Sequence, residues 1–111
     1  LSLPAYQEIT VEGKQYVLVH GGFEDFSEDK PLTEYTTYDL VWKRIKMQNT
    51  YFRDKIIISG HTPTVNYGEA YEGKMILMKD KLLIDCGYVY GCALGCLCLN
   101  TMEEFYIENL R

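Results

Sequence analysis

With 111 residues the chain has the length of one domain, and at that size folding buries only about two-thirds of the surface exposed when unfolded. Its 47% apolar, 14% aromatic and 24% charged residues are those of a soluble globular protein, and no stretch approaches the roughly 20 consecutive apolar residues of a membrane span. Eleven basic against sixteen acidic side chains leave a net charge of −5, which repels a phosphodiester backbone, so neither membrane nor nucleic acid is expected as a partner.

The opening LSLPAYQEIT has no basic segment leading into an apolar one, so nothing marks a secretory leader and a cytoplasmic location is expected. Residues 7–12 (QEITVE) alternate polar and apolar, Gly13-Lys14 punctuates, and 15–20 (QYVLVH) runs on, the pattern of a hairpin whose second strand ends in His20. From 21 to 35 the chain is polar, acidic and without period, which predicts a long loop. Its Glu24, Asp25, Glu28, Asp29 and Glu34 suit a solvated face; a cation site is the lesser alternative, since no EF-hand spacing is present.

Tyr38, Val41, Trp42 and Ile45 then recur at i, i+3, i+4 and i+7, which predicts an amphipathic helix over 37–47 with Trp42 in its buried stripe. Thr36 and Asp39 have the spacing of a capping-box variant at its start. DKIIIS (54–59) is a β-branched run ending at Gly60-His61, and 73–87 holds two apolar runs about a turn at Lys79-Asp80-Lys81. ALGCLCLN (93–100), a turn at NTMEE and FYIE (105–108) complete a β-meander. No internal repeat or linker is visible.

Ala93 to Leu99 carries no polar group stronger than a thiol over seven residues, the pattern of a strand covered on both faces. One helix and a few hairpins can hardly supply two covering layers, and the chain opens without a start signal, so a larger parent fold is expected. Cys86, Cys92, Cys96 and Cys98 crowd into thirteen residues without C-x2-C spacing, which favours reduced, buried thiols. Cys96 and Cys98 would share a strand face, so a metal or redox pair is the alternative.

His20 and His61, the only histidines, stand 41 residues apart, each at the end of an apolar β-like run and beside glycine. A histidine alone is more often a hydrogen-bonded structural residue than a ligand. Two at strand ends change that, because strand ends aim side chains while the following loops leave room for a ligand. Imidazole suits zinc, iron and manganese, but two ligands make only part of a catalytic metal site. Ser59 as a nucleophile is disfavoured, since no G-x-S-x-G elbow exists, and no phosphate-binding glycine loop is present.

The order VHGG (19–22), long loop, W-x-R (42–44), GHTPT (60–64) and IDCGYVYG (84–91) resembles the C-terminal half of the calcineurin-like metallophosphoesterases. The resemblance is to the serine/threonine protein phosphatase type and to bacterial relatives that include diadenosine tetraphosphatases, and it covers nearly the whole chain. It implies an α+β fold, the C-terminal part of a β-sandwich flanked by helices, mostly β with one main helix near 37–47, over residues 1–111. It implies a centre of two divalent ions, manganese, iron or zinc, in which His20 and His61 bind the same ion. The D-x-H, G-D-x-x-D-R-G and G-N-H motifs that supply the other ligands in that family do not occur here. The parent reaction is then hydrolysis of a phosphate ester, by two cations about 3.5–4 Å apart that activate a water and hold the phosphate. This chain alone is expected to be inactive.

Gly21, Gly22, Gly60, Thr62, Pro63 and Asp85 match positions that support these motifs. Asp85 would either orient a ligand histidine or bond to backbone. Arg44 resembles the arginine of the W-x-R element, with a bidentate fit to phosphate, although an exposed helix arginine reads the same way. Tyr88 and Tyr90 alternate onto one strand face, where cross-strand packing competes with lining a substrate groove. A phosphoprotein, a dinucleoside polyphosphate and a small phosphate ester all remain compatible as substrate. The rival readings are a non-catalytic interaction module that oligomerises through exposed sheet, and a zinc-binding unit of the cysteines plus histidines.

Overall fold

A computed structural model describes residues 3–109. The chain is mostly strand with little helix: a five-stranded sheet and a two-stranded sheet, a small mostly-β α+β fold. Strands β1 (Tyr6–Val11) and β2 (Lys14–Val19) form the expected hairpin. Its two-residue turn, Glu12-Gly13, has positive φ at both positions, 51° and 76°, the hand that matches the twist of the flanking strands. β3 (Ile56–Ser59) lies parallel to β2, and β5 (Lys81–Leu83) parallel to β3. β4 (Ile76–Leu77) closes the order β1-β2-β3-β5-β4, antiparallel to β5.

Alternation along β2 and β3 divides the core. Val17, Val19, Ile57 and Leu83 face one way, against Phe23, Leu32, Tyr35, Leu40, Ile45, Tyr51 and Phe52 from the β2–β3 crossover. The supposedly polar stretch 21–35 is thus pinned down by Phe23, Leu32 and Tyr35. Phe23 packs edge-on to Phe26, Tyr35 and Phe52, while the acids stay outside and pair locally, Glu24 with Lys43 and Glu28 with Arg53. Tyr16, Ile58 and Leu82 face the other way, where the hairpin of β6 (Ala93–Cys98) and β7 (Glu103–Glu108) brings Leu97.

Several expectations fail for identifiable reasons. Helix α1 (Thr37–Val41) starts where predicted, with Thr36 and Asp39 in a reciprocal capping box, but ends six residues early. Gly21 N–H donates to Leu40 O at 2.9 Å and Glu24 N–H to Asp39 O at 3.0 Å, so the loop takes carbonyls that another helical turn would use. The chain unwinds, and of the predicted stripe only Ile45 is buried; Tyr38 is exposed and Trp42, expected in the core, is 63% exposed.

Lys81 belongs to β5 and not to the turn. It is 1% exposed, with Nζ 2.9 Å from the Asp80 carboxylate and 3.1 Å from Met47 O, the partners a buried ammonium requires.

β6 is covered on one face only. Gly95 leaves no room on that side, since a Cβ there would lie 2.8 Å from Cys86 Sγ. Leu94 and Cys96 point outward beside Ile107 and Phe105 of β7. The four thiols are free, but only Cys86 is buried; Cys92 and Cys98 are half-buried and Cys96 is exposed, so the wholly buried reading is corrected. Among the described residues no helix is long and apolar enough to cross a membrane.

Candidate functional site

His20 follows β2 and His61 lies two residues beyond β3. Because these strands are parallel neighbours in register Val19↔Ser59, the two residues after them leave the sheet side by side. Gly60 N–H donates to His20 O at 3.1 Å, carrying the pairing one step past the strands. The imidazoles meet there: His20 Nε2 and His61 Nδ1 are 3.1 Å apart, with ring centroids at 4.9 Å. His20 is exposed and His61 half-buried, so the pair sits at the mouth of the strand ends.

His61 takes φ of +66°, a left-handed conformation that costs a non-glycine residue free energy, and Thr62 N–H donates to Gly60 O at 2.7 Å across it. That tight three-residue turn lifts the His61 side chain toward His20 while sending Thr62 inward. Pro63 and Thr64 anchor the far side: both are buried, and Thr64 N–H donates to Asp85 O at 2.8 Å. The glycines after His20 have a steric reason. A Cβ on Gly21 would lie 2.4 Å from Val41 O and 2.6 Å from Lys43 O, and one on Gly22 2.9 Å from Lys43 O. What approaches them is the backbone of 41–44, whose arrival brings Trp42 edge-on to His61, centroids 6.3 Å apart at 88°. Gly60 faces no such crowding.

The remaining candidates divide. Asp85 takes the backbone option: Oδ1 accepts the Gly87 N–H at 3.0 Å. Ser59 is buried with its hydroxyl donated to Gly21 O, and so is structural. Tyr88 and Tyr90 do not alternate on a strand. They form a 3-10 turn between Gly87 and Gly91, both left-handed, with φ of 76° and 87°. Tyr90 is exposed and makes no ring contact or hydrogen bond with either histidine among the described residues. Arg44 is exposed and forms no ion pair among the described residues. It lines a cavity of about 480 Å³ together with Trp42, Ile45, Thr62, Asn66 and Tyr67.

Two of these cavity residues, Asn66 and Tyr67, escaped the sequence reading. Tyr67 donates its phenol proton to Ile45 O at 2.6 Å, and burial pushes its pKa above the ordinary value, partly offset by the nearby Thr62 hydroxyl. The buried Thr62 Oγ1 lies near enough to the Tyr67 oxygen to lower its pKa but makes no hydrogen bond of ordinary geometry. No pattern in the sequence marks Asn66 or Tyr67.

The donor set fits half of a metal site. Imidazole nitrogens about 2.0–2.1 Å from a shared ion, at angles between right and tetrahedral, stand about 3 Å apart, close to the separation seen here. Among the described residues no three of His, Cys, Asp and Glu cluster to hold an ion, so the cysteines do not join the histidines in one site. No protein-family model matches the sequence, and no curated protein matches it either.

Proposed function

We propose that this chain is the histidine-bearing part of a calcineurin-like, metal-dependent phosphoester hydrolase, with His20 Nε2 and His61 Nδ1 on one divalent ion, manganese, iron or zinc. The observation that supports the reading is the meeting of the two imidazoles, 3.1 Å apart, at the ends of adjacent parallel strands. Backbone strain at His61 adds to it, because strain of this kind collects where a side chain must be aimed.

When bound, the metal centre of such an enzyme lowers the pKa of a water and neutralises charge developing on the phosphoryl group. The chain's own residues hold and orient. Both imidazoles must offer a neutral nitrogen, which replaces the hydrogen bond they now share. The strained turn keeps His61 aimed at His20, and Trp42 covers one side of its ring. Arg44, free of ion pairs among the described residues, offers a planar guanidinium to phosphate oxygens. The carboxylates that such a centre needs are not grouped with these histidines among the described residues, so they come from another segment or another chain.

Manganese-dependent hydrolysis of p-nitrophenyl phosphate by the natural protein tests this. His20→Ala and His61→Ala should each lose at least 100-fold in kcat/KM, the order seen when a metal site loses function-bearing ligands or their supports. Turnover close to wild type in both variants would remove the proposal.

A second reading, an interaction module, is favoured by the outward row of Leu94, Cys96, Phe105 and Ile107 on the β6–β7 sheet, contiguous and apolar. Light scattering decides it: self-association abolished by Ile107→Lys supports the module, and a monomer at all concentrations removes it.

A further inference from the structure

We infer that the end of the five-stranded sheet opposite the histidines is a docking surface for an acidic peptide, an extended Asp- or Glu-rich segment of another protein. The inference goes beyond the reading above and is independent of it, because it uses no residue of the histidine site.

Lys14 and His20 stand at opposite ends of β2, six residues and so about 20 Å apart. At the Lys14 end a cavity of about 790 Å³ is lined by Lys14, Arg53, Lys55 and Lys79. With the buried Lys81, whose Nζ holds the lining Asp80, five of the eleven basic residues gather at this pole of a chain with net charge −5. Cations segregated in this way give an acidic protein a local positive face.

The sheet fixes their spacing. Lys14 opens β2, Lys55 precedes β3 and Lys79 lies in the turn into β5, and these three strands are neighbours in the order β2-β3-β5. At about 4.8 Å per strand the row spans about 10 Å, within reach of acids at alternate positions of an extended peptide, about 7 Å apart.

The nearby acids do not cancel the row. Asp80 is neutralised by Lys81 Nζ at 2.9 Å, and Glu12, next to Gly13 of the cavity wall, turns away to accept from Asn100 Nδ2 at 3.2 Å. Glu8 meets Lys55 only at 3.8 Å, a contact of little worth near the surface. Lys14 and Lys79 are exposed and form no ion pair among the described residues.

The lining also tells a peptide from a phosphate chain. Arg53, whose planar fork would suit phosphate, is already taken: its Nε lies 3.1 Å from Glu28 Oε1 and its backbone N–H donates to Glu28 Oε2 at 2.9 Å. Every cation of this pole that has an ionic partner, Arg53, Lys55 and Lys81, has a carboxylate. Gln15, Thr50 and Asp54 set acceptors beside the cations, which suit the N–H groups of a peptide backbone and find no donor on a phosphate chain.

Fluorescence anisotropy of labelled hexaglutamate on the metal-free chain tests the surface, with hexaglutamine, hexathymidylate and inorganic tripolyphosphate as competitors. Hexaglutamate should bind at least about tenfold tighter than each competitor, and its affinity should fall as salt rises. Lys14→Gln with Lys79→Gln should weaken it at least about tenfold, whereas Lys46→Gln with Lys74→Gln, which removes the same charge from exposed lysines elsewhere, should change it by less than about twofold. No binding of hexaglutamate, or equal binding of hexaglutamine, overturns the inference, as do equal losses in the two double variants. Hexathymidylate or tripolyphosphate binding as tightly as hexaglutamate overturns it in favour of a phosphate surface. His20→Ala should leave the affinity unchanged, so each reading fails or holds without the other.

Discussion

The ends of β2 and β3 and the β6–β7 hairpin are both built from apolar β-like sequence, yet they meet water differently. In the first, residues 16–19 and 56–59 are pinned between neighbours on both sides, and the residues just past them are driven into contact and into backbone strain. In the second, only one face is covered, and Leu94 and Ile107 stand 55% and 65% exposed on the other. Close packing on both sides marks the strands that lead to the two histidines, and uncovered apolar surface marks the outer face of the hairpin. Substitutions should therefore act very unequally in the two regions.

The largest contrast is in stability. Ile57, fully buried in β3, should cost about 2–5 kcal/mol on truncation to Ala, whereas Ile107→Ala in β7 should stay within about 0.5 kcal/mol in urea denaturation. Comparable losses would mean that the hairpin face is covered after all. Next comes Gly21→Ala, whose new Cβ meets two backbone carbonyls; a loss of about 1–3 kcal/mol is expected, with Trp42 fluorescence shifted because segment 41–44 must retreat.

His61→Gly should move the other way. Relief of the left-handed backbone raises stability by about 1 kcal/mol while the imidazole is lost, so a drop in melting temperature would show that the turn is not strained.

The thiols give the smallest and most local contrast. Burial, with the Asp85 and Glu104 charges nearby, pushes the Cys86 pKa up to about 11. Hydrogen bonds from the Thr101 hydroxyl and from the Thr101 and Asn100 N–H groups lower that of Cys98. At pH 8 Cys98 is the richer in thiolate, so iodoacetamide should label it well before Cys86, with the gap closing as pH approaches 11. Equal labelling at pH 8 would contradict this.

Much of the local architecture was legible in the sequence. The hairpin of 7–20, the capping box at Thr36 and the run 56–59 carry strong local signals, and their elements form where the pattern places them. The early end of α1 was not legible, because it depends on Gly21 and Gly22 admitting carbonyls from a segment twenty residues away. Trp42 left the predicted core for the same reason. Tyr88 and Tyr90 have the spacing of a strand, but two left-handed glycines bend them into a 3-10 turn. The parallel pairing of β2 with β3, which brings the imidazoles together, leaves no trace in either run alone.

Zinc titration of the chain, followed by NMR of the two imidazole rings, tests most directly whether His20 and His61 share a cation. One ion per chain should shift the resonances of both rings together, weakly but saturably, and the effect should vanish in His20→Ala and in His61→Ala. Rings that respond independently, or binding that survives both substitutions, would contradict the shared site.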